Sequence, residues 1–131
     1  MSQGEFGHWE TIISDVAEAE IEDAYNSIVS VFGTERATAW VHELHSELLT
    51  LGDFPGPYRY AIYENAMERS GREVRRMLFR GPKRKPIPTV YRAFYLLTPP
   101  QSSEESGVIY IIRFVPGGVA WPDSEIHWDT P

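Results

Sequence analysis

The hydrophobic pattern of this chain changes period once, near Gly52, and that change decides what it can fold into. Before it, Ala17, Ile21, Ala24, Tyr25, Ile28 and Phe32 recur at helical spacing. After Gly33 a second stripe follows in Ala37, Trp40, Val41, Leu44, Leu48 and Leu51. Each stripe is the apolar side of an amphipathic helix, and each needs a surface to cover. Asp15, with Glu18 three positions on, reads as an N-cap and capping box. Glu18, Glu20, Glu22 and Asp23 crowd the first turns, where the helix dipole favours negative charge. Gly33 ends the first helix and Thr34 caps the second, so a single Gly-Thr step predicts an antiparallel helical hairpin. Gly52-Asp53-Phe54-Pro55-Gly56-Pro57 is a turn cluster.

Beyond the turn the apolar residues come in short β-rich runs. Residues 73–80, 90–97 and 108–115 read as strands, separated by a proline- and lysine-rich loop at 81–89 and a polar loop at 98–107. Residues 8–14 supply one more strand ahead of the helices, and 58–72 are expected to be irregular, with room for one helical turn. The predicted class is α+β in the order β-α-α-β-β-β, a two-helix hairpin on a twisted, mainly antiparallel sheet. One domain is expected over residues 1–131, with its core in 8–118 and a tail at 119–131 carrying Trp121, Ile126 and Trp128.

Composition narrows the chemistry. The 131 residues include no cysteine, which excludes disulfides, thiolate zinc sites and cysteine nucleophiles. No apolar run reaches the roughly 18 residues a membrane span needs, and Met1–Phe6 carries no signal-like basic or apolar region. A cytoplasmic location away from membranes is the expectation. The net charge of −7 is uneven: residues 58–92 carry +7 and the remainder −14. Such asymmetry marks either a polyanion-facing surface or the solvated side of a sheet. His42 and His45, three apart on the second helix, lack a further ligand nearby and read as solvated. Neither a metal nor a cofactor is expected.

Several segments, taken in order, resemble the RelE/ParE toxin superfamily, which includes plasmid-stabilisation toxins of toxin–antitoxin systems. A strand leads into two helices. The second ends in Leu51-Gly52-Asp53-Phe54-Pro55, similar to the family's leucine followed by Phe-Pro. Val74-Arg75-Arg76-Met77-Leu78-Phe79 resembles the family's arginine-led strand, and Tyr91-Arg92-Ala93-Phe94-Tyr95 its Tyr-Arg-x-x-Tyr strand. The last strand ends at a glycine, as the family's does. The likeness covers about residues 8–118. It implies a cytoplasmic, growth-inhibiting protein neutralised by a cognate antitoxin. Its host target would be gyrase, inhibited by binding, or the ribosome, where a metal-independent endonuclease cuts messenger RNA. A non-toxic binding module on the same fold is the third expectation.

Such a nuclease needs a base, a leaving-group acid and cations around the developing phosphorane. The resemblance implies Arg92 as the phosphate-holding arginine; Arg76 is the candidate to join it, and Tyr91 and Tyr95 are the candidate acids. Alternation along 73–80 puts Val74, Arg76, Leu78 and Arg80 on one face and Arg75, Met77 and Phe79 on the other. Arg76, Arg80 and Arg92 are therefore expected on the sheet face left open by the helices. Arg75, Arg80, Lys83, Arg84, Lys85 and Arg113 are the candidate target-binding cations. Arg113 stands in an apolar strand and needs a partner, with Glu73 or Glu64 the expected one. The chain departs from the nuclease pattern at Val115-Pro116-Gly117-Gly118-Val119-Ala120-Trp121, which has no Lys, Arg, His or Tyr where nuclease members carry catalytic groups. His127 lies too far along to align. The departure favours inhibition by binding.

Overall fold

Strand β1 (Trp9–Ile13) runs straight into helix α1 (Asp15–Phe32), and α2 (Thr34–Leu49) follows after the single residue Gly33. The computed structural model describes residues 8–63, 73–84, 86–102 and 104–117. Ser14, not Asp15, caps α1: its hydroxyl accepts from the Ala17 amide at 3.0 Å, leaving Asp15 and Glu18 to complement the dipole in the first turn. Gly33 at φ 92° closes α1 and opens α2, a backbone conformation that side chains resist. A cavity between the helices is lined by Asp15, Glu18 and Tyr25 of α1 and by Val41 and His45 of α2, so early α1 faces late α2 and the pair folds back on itself.

A 3-10 turn (Pro57–Arg59) precedes strands β2 (Val74–Phe79), β3 (Tyr91–Thr98) and β4 (Gly107–Pro116). The class is α+β: among the described residues, two helices and a four-stranded mixed sheet in the order β1-β4-β3-β2. The late strands pair antiparallel, as expected of hairpins. β1 pairs parallel with β4, Trp9 opposite Gly107 through Ile13 opposite Ile111. Strand β4 is thus interior, with β1 from the start of the sequence on one side and β3 on the other.

The helices cover one sheet face. Ala17, Ile21, Ala24 and Ile28 of α1 and Ala37, Trp40, Leu44 and Leu48 of α2 meet Met77, Phe79, Tyr95, Ile109 and Ile111 in one cluster. Trp40 sits at its centre, with ring centroids 5.6 Å from Phe79, 5.3 Å from Tyr91 and 5.9 Å from Phe114. Each such burial contributes about 1.5–3 kcal/mol relative to exposure.

The opposite face corrects the sequence reading. It is not an open surface of arginines: Val74, Phe94, Leu96, Ile112 and Val115 form a second buried cluster, with Tyr63 and Tyr110 packed on it. Phe94 is 0 % exposed and Arg92 only 9 %. The runs at 90–97 and 108–115 are apolar on both sides of the pleat, the pattern of strands buried on two faces. Among the described residues no helix is long and apolar enough to cross a membrane.

Candidate functional site

The β2–β3 register brings two of the expected catalytic residues together. Arg76 stands opposite Phe94 and Leu78 opposite Arg92. Arg76 and Arg92 therefore share a face as diagonal neighbours, a spacing of about 7–8 Å. The Arg92 guanidinium lies 5.3 Å over the Phe94 ring and donates to the Pro116 carbonyl at 3.5 Å. Arg76 lies 5.8 Å from the Tyr63 ring, and Tyr63 meets Phe94 edge-on at 5.0 Å. Two guanidinium groups and two aromatic rings thus alternate across the face, each cation resting on a ring.

Tyr95 does not join them. It lies on the helix-covered face, 0 % exposed, and its hydroxyl donates to the Pro57 carbonyl at 2.7 Å. Burial pushes its pKa well up. A phenol committed this way ties the turn after α2 to the sheet and offers no proton to a bound substrate.

The remaining sheet arginines are structural clamps. Arg75 donates to Glu73 at 2.8 Å and to the carbonyls of Tyr58 at 3.0 Å and Tyr60 at 2.6 Å, fixing the segment around Pro57–Arg59. Arg113 pairs with Glu20 on α1, not with Glu73; Glu64 lies outside the described residues. Its Nε reaches both Glu20 oxygens at 2.9 Å, and Glu20 Oε1 also accepts from the Phe114 amide at 2.9 Å. A bulge causes this. Phe94 faces Arg113 while Tyr95 faces Ile111, so β4 carries one extra residue where β1 has already ended. Glu20 supplies the acceptor that a longer β1 would have given.

Three of the predicted binding cations remain exposed: Arg80 at the end of β2 and Lys83 and Arg84 in the loop after it. Lys85 lies outside the described residues. The loop is held at both ends. Gly81 turns at φ 85°, Ile87 is buried in the main core, and Arg36 of α2 donates to the Pro86 carbonyl at 2.7 Å. Arg36, Arg84 and Pro82 border an open cavity of about 690 Å³ against the start of α2. Arg36 was not singled out from the sequence. The one signal for it is its position as an isolated cation in an acidic helix, and its contact lies fifty residues away.

Around this basic corner the molecule is acidic. Asp15, Glu18, Glu20, Glu22 and Asp23 fall on α1, which has no cation. His45 borders the inter-helix cavity of about 480 Å³. Among the described residues no three histidine, aspartate or glutamate side chains gather as a metal-ligand set. The chain matches no family model, no curated protein and no solved structure.

Proposed function

We propose that this protein acts by contact rather than by catalysis: a RelE/ParE-like inhibitor that binds a host target through Arg80, Lys83 and Arg84 and is itself held by an antitoxin. One observation carries the reading. Arg75, Arg92 and Arg113 are bound internally, whereas Arg80, Lys83 and Arg84 stand exposed on a loop anchored at both ends. An anchored loop loses little conformational freedom on binding, which favours recognition. The same arrangement weakens a nuclease reading, because the candidate acid Tyr95 is sealed in the core. Element order, helix hairpin and late antiparallel strands support the family likeness; the target, gyrase by the family's precedent, rests on that likeness alone.

Inducible expression in a bacterial host without a partner gene tests this directly. Growth arrest is expected from the wild type and not from an Arg80→Glu, Lys83→Glu, Arg84→Glu variant whose circular dichroism is unchanged. Purified protein should inhibit DNA supercoiling by gyrase and leave ribosome-bound messenger RNA intact. Messenger cleavage that disappears in Arg92→Ala would install the nuclease instead. Normal growth at full expression would leave a non-toxic binding module.

A further inference from the structure

Helix α1 and the adjoining ends of β3 and β4 border a third, smaller cavity of about 250 Å³, open to solvent. Drug-sized ligands occupy roughly 300–1,000 Å³, so this volume suits a single side chain or a small molecule. Its polar lining is Glu20, Asp23 and Ser27 from α1 and Tyr91 from β3. Asp23 and Ser27 are four residues apart on one helix face, and both are exposed at the mouth. Tyr91 is only 6 % exposed, yet among the described residues none hydrogen-bonds its hydroxyl, which opens on this cavity. The ring is buried while its oxygen keeps contact with solvent, so the hydroxyl is open to a ligand entering the cavity.

The lining selects the charge of an occupant. Among the described residues it holds two carboxylates and no cationic side chain. Arg113 is paired with Glu20, which also accepts from the Phe114 amide. Asp23 makes no ion pair among the described residues. An anion would meet repulsion there. A primary ammonium brings three donors on one atom, matching three acceptors: the Asp23 carboxylate, the Ser27 hydroxyl oxygen and the Tyr91 phenol oxygen. Its alkyl stem would lie along the apolar wall that Ala24, Phe114, Val115 and Pro116 form. Burial raises the Tyr91 pKa, so the hydroxyl stays neutral and free to accept at physiological pH.

We propose that the cavity between α1 and the ends of β3 and β4 binds a primary alkylammonium group, with Asp23, Ser27 and Tyr91 as its acceptors. The group is the head of either a free amine or a lysine side chain. This inference does not depend on the inhibitory reading above.

Titration of the full chain with butylamine and with Nα-acetyl-lysine methylamide, followed by amide NMR shifts, tests it. Butanol serves as the uncharged control. Saturable shifts centred on Asp23, Ser27 and Tyr91 are expected with the ammonium probes and not with butanol. Asp23→Asn and Tyr91→Phe should each weaken binding about tenfold, as loss of a hydrogen bond to a charged group does. Tyr91→Phe keeps the ring that stacks on Phe114 at 5.0 Å, so the fold is retained. Glu18→Gln, at another carboxylate of α1 outside this cavity, should change affinity less than twofold. Binding of butylamine alone assigns the site to a free amine, and binding of both assigns it to a lysine side chain; either supports the proposal. No saturable binding, unchanged affinity in Tyr91→Phe, or an equal loss in Glu18→Gln overturns it.

Discussion

At Tyr95 a single hydroxyl joins two parts of the fold, because its acceptor, the Pro57 carbonyl, belongs to the turn after α2. Tyr95→Phe keeps the ring and strands that carbonyl without its donor. The expected cost is about 1–3 kcal/mol in urea unfolding, with the spectrum of the folded state unchanged. A loss below a few tenths of a kcal/mol would mean the carbonyl finds another donor. Glu47 on α2 makes a prediction of opposite sign. Burial raises its pKa above the ordinary 4.5, Glu43 adds to the rise, and Arg59 opposes it. The folded chain therefore holds this proton more tightly than the unfolded chain does. Its contribution to stability is fully present below the unfolded value and is lost as pH rises through the folded one. Glu47→Gln should accordingly melt slightly higher than the wild type at pH 7, and the advantage should vanish near pH 4. The side chain is partly solvated, so the effect is small. Melting curves across that range read it.

Among elements, the junction of α1 with β4 rests on Glu20 and Arg113, ninety-three residues apart. Arg113→Leu leaves a largely buried carboxylate facing apolar neighbours, and Glu20→Leu leaves a guanidinium that is 6 % exposed and an unpaired Phe114 amide. Each single change should cost about 3–5 kcal/mol. The double change to leucine should cost less than the sum of the two, the mark of a directly coupled pair. Additive losses in chemical denaturation would show that the two act separately. This contact also marks where legibility in the sequence ended. The helices were readable because Ala17 to Ile28 and Ala37 to Leu48 keep one period throughout, and the antiparallel late strands because Gly- and Pro-bearing loops separate them. Alternation also placed Arg76 beside Arg92. The partner of Arg113 was not readable, since a bulge between Phe94 and Tyr95 redirects it and bulges carry no marker in a run such as Val108 to Val115. The exposed arginine face failed for a different reason: alternation assigns sides but not which side is covered, and Phe94, Leu96 and Ile112 already argued for two-sided burial.

Over the whole molecule, the decisive feature is that β4 lies between β1 and β3. Among the described residues the first strand pairs in the sheet with β4 alone, Trp9 with Gly107 and Ile13 with Ile111, across nearly a hundred residues. Trp9 is wedged there: a side chain added at Gly107 would come within 2.6 Å of its ring, and one at Gly52 within 2.5 Å of its Cβ. Contacts of such long range are made late, after the entropy of closing a large loop has been spent. Helix α1 follows β1 without a linker and meets β4 again through Glu20, so neither can be seated before β4 arrives. The helical hairpin is amphipathic and cannot hide both stripes without the sheet. A chain ending at Ser106 should therefore lack cooperative unfolding and near-ultraviolet signal from Trp40, although some helix content survives. Ile111→Pro in the full chain should do the same, because proline removes a ladder donor in an interior strand. If the shortened chain melts cooperatively with Trp40 still in a rigid environment, the helices and the β2–β3 hairpin form a core on their own and β4 is an addition to it. The register makes the opposite expectation: β1 and β4 must both be in place before the helices have a complete surface to pack against.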